Sequence, residues 1–150
     1  MKEQEFMQAG YTVFGAENNE NKLLNFLKEH YPSVVKEKEI DDMVQTYNTT
    51  YKLVPSLKKN GNQHQSLREA AKIEIGMRKF LSTGNYKGFT DTFEDLHGMT
   101  QLPGIAAQRL MADGFGFAGE GDWKTSALVR MMKVMASGLP GGNSFMEDYT

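Results

Sequence analysis

The residue types best suited to chemistry lie in two acidic stretches, GFGFAGEGDWK from Gly114 to Lys124 and FMEDYT from Phe145 to Thr150. In the first, Glu120 stands between Gly119 and Gly121. Glycine on both sides lets the backbone approach a ligand closely and aims the carboxylate into a cleft. In the second, Glu147 and Asp148 form a carboxylate pair flanked by aromatic residues, a setting that desolvates a carboxyl and perturbs its pKa. Carboxylates so placed can serve as general acids or bases. The plainer readings are a solvated glutamate in a surface turn and the charged end of an edge strand.

Other chemistries find less support. His30, His64 and His97 do not fall into a ligand-like spacing with one another or with those acids, and His97 reads as a hydrogen-bonding loop residue. No Ser-His-Asp or Cys-His arrangement is legible, and a chain without cysteine has neither a thiolate site nor a disulfide framework. Gly114-x-Gly116-x-x-Gly119 matches the dinucleotide fingerprint by letter. That fingerprint needs its glycines in the turn after a strand, whereas Gly114 here closes a helix. Lys124-Thr125 hints at a P-loop, but Asp122-Trp123 stands where glycine must precede the lysine. A nucleotide- or sugar-binding module without catalysis is the alternative this stretch leaves open.

The positioning elements follow from periodicity. Tyr11–Phe14 reads as a strand, and Leu23, Leu24, Leu27 and Tyr31 recur at helical spacing up to Pro32. Ile40, Met43, Val44, Tyr47 and Tyr51 form a second stripe. After the polar loop KKNGNQHQ, Ser66 and Glu69 form a capping box for a helix that buries Ala70, Ile73, Met77, Phe80 and Leu81. Gly84 is placed to end it in a left-handed conformation. Tyr86–Phe93 reads as a strand with Phe93, Glu94 and Asp95 at its carboxyl end. Pro103 opens a further helix through Ala106, Ala107, Leu110 and Met111, ended by Gly114. Phe115–Ala118 is a short strand. Asp122 caps a helix over Trp123–Ser137 with Leu128, Met131, Met132 and Met135 inward, Gly138 ends it, and Ser144–Tyr149 begins another extended segment.

Helix and strand thus alternate through the second half, which requires a parallel sheet covered by helices. The expected fold is α/β: a doubly wound, mostly parallel sheet with helices on both faces. Ligands in such sheets gather beyond the carboxyl ends of strands, where Phe93, Glu94, Glu120 and, as a further candidate, Glu147 fall. The 150 residues suffice for one domain. With 17 basic against 19 acidic residues there is no electrostatic footprint for nucleic acid or an anionic membrane. No stretch is apolar enough to span a bilayer, and the absence of cysteine suits a reducing cytoplasm.

TFEDLHGMTQLPG, IAAQRLMADGFGFAGEGDWKTSALVRMMKVMASGLPGG and NSFMEDYT together resemble L-arabinose isomerase, a manganese-dependent aldose–ketose isomerase. The resemblance is close from about Ser66 to Thr150 and identifies the family over the final third. It implies a central α/β domain over residues 1–140 and, from 141 to 150, the start of a carboxyl-terminal domain otherwise absent. It further implies that Glu120 and Glu147 bind one Mn²⁺ and act as the acid/base pair, and that Phe93 lines the sugar pocket. Two further histidine ligands are expected outside these residues. The implied substrate is L-arabinose, converted to L-ribulose, with D-galactose to D-tagatose as a side activity. A homo-oligomer, a hexamer in the full-length family, is expected, and the 150-residue chain alone is expected to be inactive.

Overall fold

The computed structural model describes residues 35–91 and 99–141. The expected strand Tyr11–Phe14, the stripe through Leu23 and Tyr31, the carboxyl end of the Tyr86–Phe93 run, and the FMEDYT segment lie outside the described residues. So do Phe93, His97 and Glu147.

Helix α1 spans Glu37–Thr50 and α2 spans His64–Thr83. The stripe read from periodicity is the buried one: Ile40, Val44 and Tyr47 of α1 pack on Leu67, Ala70, Ala71 and Ile75 of α2, with Met43 and Tyr51 at the margin. The amino end of α1 is closed by Glu39, whose Oε2 accepts the Lys36 N–H at 2.8 Å. Charged pairs rim this contact. Arg68 bridges to Glu37 and Asp41, and Lys79 Nζ lies 2.7 Å from Glu39 Oε1.

Helix α2 begins two residues before the expected capping box. Ser66 is its third residue and Gln63 the cap. The cause is the preceding loop, where a short 3-10 turn, Pro55–Leu57, folds back so that Ser56 O accepts the Gln63 N–H at 2.9 Å. His64 Nδ1 also sits 2.9 Å from Leu57 O, and Gly61 is so close to the Ser56 carbonyl that a Cβ would lie 2.1 Å from its oxygen. These tertiary bonds start the helix early.

At the other end, Gly84 is right-handed (φ −83°), and Asn85 takes the left-handed conformation instead (φ 53°). Asn85 N–H bonds to Ser82 O and Tyr86 N–H to Leu81 O, a Schellman closure with asparagine at the left-handed position. Gly84 serves another end: a Cβ there would strike the Tyr86 ring at 1.9 Å, and that ring stacks on Phe80 at 5.2 Å.

Strand β1 is Gly88–Thr90, α3 is Gly104–Ala112, β2 is Gly116–Ala118 and α4 is Trp123–Met135. Helix α3 ends in a second Schellman closure: Gly114 (φ 96°) donates to Met111 O and Phe115 N–H to Leu110 O. β1 and β2 pair in parallel with Phe89 opposite Phe117. These short strands with their helices form an α/β fold. Strand alternation sends both phenylalanines, 5.0 Å apart, into a core with Ile73, Met77 and Leu81 of α2 and Ala106 and Leu110 of α3.

The helix expected over Trp123–Ser137 forms, but its inward face is not the expected one. Leu128, Met131, Met132 and Met135 point outward, the last 76% exposed, while Ser126 and Val129 are buried. β2 meets α4 through Gly116, where an added Cβ would lie 2.1 Å from Ser126 O. That approach is too close for leucine or methionine, so small residues face the strand and the large ones turn away. Ser126 Oγ completes the contact by donating to Phe89 O at 2.9 Å.

Above the α1–α2 rim, stability should depend on acid pH. Hydrogen bonds from Lys79, then the Lys36 N–H, hold the Glu39 carboxyl below its ordinary 4.5. A depressed folded-state pKa gives stability that is complete above 4.5 and lost as pH falls through the folded value. Urea midpoints between pH 2.5 and 6 should therefore show Glu39→Gln weaker than the native chain near pH 6, the difference closing as the medium becomes more acid.

Candidate functional site

Glu120 lies just beyond the carboxyl end of β2, where Gly119 to Asp122 make a tight turn. Glu120 (φ 55°) and Gly121 (φ 76°) are both left-handed, and Asp122 N–H bonds to Gly119 O at 3.1 Å. Two positive φ values spanned by an i to i+3 bond describe a type I′ turn with Glu120 at its first central position. That position favours glycine, asparagine or aspartate, and a left-handed conformation costs a glutamate roughly 1–2 kcal/mol. Backbone strain of this kind concentrates at ligand sites.

Two anchors hold the turn. Gly121 N–H donates to Asp91 O at 3.0 Å, tying it to the residue after β1, where Asp91 Oδ1 is buried. Asp122 caps α4: its Oδ1 accepts the Thr125 N–H at 3.0 Å and its Oδ2 the Thr125 hydroxyl at 2.5 Å. Those bonds, the hydroxyl's first, hold the Asp122 carboxyl below the usual range. Lys124 Nζ lies 5.9 Å from the Trp123 ring centroid at the start of the helix. The Glu120 side chain is exposed, and no described residue hydrogen-bonds to or ion-pairs with it. The space a Cβ on Gly121 would enter is open to at least 4 Å. A carboxylate is the hard type of oxygen donor that divalent cations accept. Among the described residues no three acidic or histidine side chains gather into a metal cluster.

The dinucleotide reading of the glycine run fails on geometry. Gly114 closes α3, and Gly116 lies inside β2 with its N–H on Lys87 O. Neither amide stands at a helix start, where a pyrophosphate would be held.

Sequence reading missed a buried polar cluster joining three helices. Glu74, wholly buried on α2, accepts from Tyr47 Oη at 2.6 Å, Arg78 Nε at 2.8 Å and Arg109 Nε at 2.9 Å. Arg78 also reaches Asp113 Oδ2 at 2.6 Å, and the Arg109 guanidinium lies 5.4 Å from the Tyr47 ring centroid. Burial, then the bond to Glu74, pushes the Tyr47 phenol well above its usual range. Burial opposes charge on Arg109, yet its hydrogen bonds to Glu74 and Tyr51 and the attraction of the Glu74 carboxylate together outweigh this. The signal was available, since Glu74 lies four residues after Ala70 and three before Met77, on the apolar face.

A family model described as L-arabinose isomerase central domain matches residues 7–138. The chain belongs to the L-arabinose isomerase family. It is 57% identical over 144 residues to the L-arabinose isomerase of Herpetosiphon aurantiacus, covering 96% of this chain and 27% of that protein. To the L-arabinose isomerase of Koribacter versatilis it is 62% identical over 114 residues, 76% of this chain and 23% of the relative. The Salmonella enteritidis protein of the same name is 55% identical over 118 residues, 79% of this chain and 24% of its own length. The chain therefore spans about a quarter of the length of the relatives it matches. No helix among the described residues is long and apolar enough to cross a membrane.

Proposed function

We propose that this chain is part of an aldose–ketose isomerase acting on L-arabinose, with Glu120 as one carboxylate of its acid/base pair. The observation that carries this reading is a glutamate held in a left-handed turn beyond a parallel strand, its carboxylate exposed and without a hydrogen-bond or ion-pair partner among the described residues. The names of the relatives supply the substrate class, and the turn geometry supplies a residue fit for the chemistry.

Interconversion through an ene-diol needs a base to remove the proton from the carbon beside the carbonyl and an acid to return it to the neighbouring carbon. Glu120 and Glu147 share these roles, exchanging them when the reaction runs backwards. Both carboxylates would also hold a Mn²⁺, with further histidine ligands from outside these 150 residues. When bound, the ion polarises the sugar carbonyl and hydroxyl and offsets developing negative charge. Phe93 lines the sugar pocket. D-galactose to D-tagatose is the side reaction, and the active assembly is a cytoplasmic homo-oligomer, hexameric as in the full-length family. The domain over residues 1–140 is a doubly wound sheet, and residues 141–150 lead into a carboxyl-terminal domain.

A purified polypeptide of these 150 residues alone, which would supply only Glu120 and Glu147 of that ligand set, is expected to leave L-arabinose unchanged, matching a Glu120→Gln control in ketose formation with Mn²⁺ present. Ketose formation above that control overturns the account of how the site is completed. Saturable binding of NAD or ATP would overturn the isomerase reading itself.

A further inference from the structure

We propose that Thr125 is a positioning residue for Glu120, acting through Asp122. The inference rests on the reading of Glu120 as a Mn²⁺ ligand and divides the labour of the two acids in the GEGD turn. Glu120 supplies the free carboxylate. Asp122 has both oxygens committed, Oδ1 to the Thr125 N–H at 3.0 Å and Oδ2 to the Thr125 hydroxyl at 2.5 Å, and is a brace rather than a ligand.

The brace matters because Asp122 belongs to two structures at once. Its N–H closes the turn on Gly119 O at 3.1 Å, and its side chain opens α4. Thr125 is fixed by its place in the helix, and α4 is seated on the sheet by Ser126 and Gly116. A rigid path therefore runs from the sheet through α4, Thr125 and Asp122 to the turn. Glu120 has no side-chain tether among the described residues, and its backbone sits in a conformation that favours glycine. Another anchor of the turn is the bond from Gly121 N–H to Asp91 O. Once the Thr125 hydroxyl is removed, Asp122 keeps only its bonds to the backbone N–H groups of Thr125 and Lys124, its carboxylate is held less firmly, and Glu120 samples more positions.

Thr125→Val isolates the hydroxyl, because valine has the same shape and leaves the backbone N–H in place. Mn²⁺ titration, followed by paramagnetic broadening of the amide resonances of residues 119–123, reads even weak binding to the 150-residue chain. Thr125→Val should raise the midpoint concentration about tenfold, the lower end for partners that orient a ligand. Thr125→Ser, which restores the hydroxyl, should return it to within about twofold of the native chain, and Glu120→Gln should abolish site-specific broadening. A cap that only stabilises the helix would lower the Tm of Thr125→Val and leave the midpoint unmoved. That result, with Glu120→Gln still abolishing broadening, overturns the inference alone. If the native chain shows no such broadening, or Glu120→Gln leaves it unchanged, the reading of Glu120 as a ligand fails and the inference falls with it. Should Thr125→Val not fold, a Thr125→Ser midpoint about tenfold above native would count equally against the positioning role.

Discussion

Replacing Glu74 by leucine should destabilise the chain by about 3–5 kcal/mol, as expected when one partner is removed from a buried ion cluster. The carboxylate is wholly buried and serves two guanidinium groups and a phenol. Leucine would take from Arg109 the carboxylate it pairs with and leave Arg78 with Asp113 alone. For a domain whose whole stability is about 5–15 kcal/mol, this is a large part of the total. Urea denaturation should show the lower midpoint, and an unchanged midpoint would mean the arginines find other partners at no cost. Removing all the charges together should hurt far less. A Glu74→Leu, Arg78→Leu, Arg109→Met chain should recover most of the loss, because no buried charge remains unpaired.

The second large effect concerns Glu120, where stability and function should move in opposite directions. Glu120→Gly relieves a left-handed conformation that costs glutamate roughly 1–2 kcal/mol, partly offset by the greater freedom of glycine in the unfolded chain. A net gain of up to about 1 kcal/mol is expected by thermal or urea unfolding. The same change removes the carboxylate on the turn that has no partner among the described residues, so Mn²⁺-induced broadening should vanish. Where the site is complete, isomerisation should fall by about 10²–10⁴, the usual worth of a positioned acid or base. A Glu120→Gly chain less stable than the native one would show that the side chain is held by contacts, and would remove the strain argument for its role.

Much of the fold was legible because it is written in local periodicity. The α1 stripe through Ile40, Val44 and Tyr47 buries as its spacing demands, and Asp122 caps α4 as its residue type suggests. The parallel pairing of the Phe89 and Phe117 strands follows from the alternation of elements. The errors lie where tertiary contact overrode the local pattern. Ser66 and Glu69 spell a capping box, but bonds from the Pro55–Leu57 turn start α2 at His64. Gly84 looked like the left-handed closure, yet the Tyr86 ring occupies the space beside it and the turn falls on Asn85. By spacing alone the methionines of α4 read as core filler, because apolar residues at helical spacing imply a buried face. Which face a sheet accepts depends on the side chains it presents, and Gly116 admits only close, small neighbours.

By itself, the sequence determined the elements, their alternation, the family and the candidacy of Glu120, since propensity, periodicity and motif all reside in short stretches. Only the tertiary structure decided that Glu120 takes a left-handed backbone in a turn closed by Asp122 N–H and tied to the end of β1, and that Glu74 gathers Tyr47, Arg78 and Arg109. Those facts depend on groups brought together from distant parts of the chain. Positive φ, burial and the sharing of a carboxylate are set by what the fold places alongside a residue.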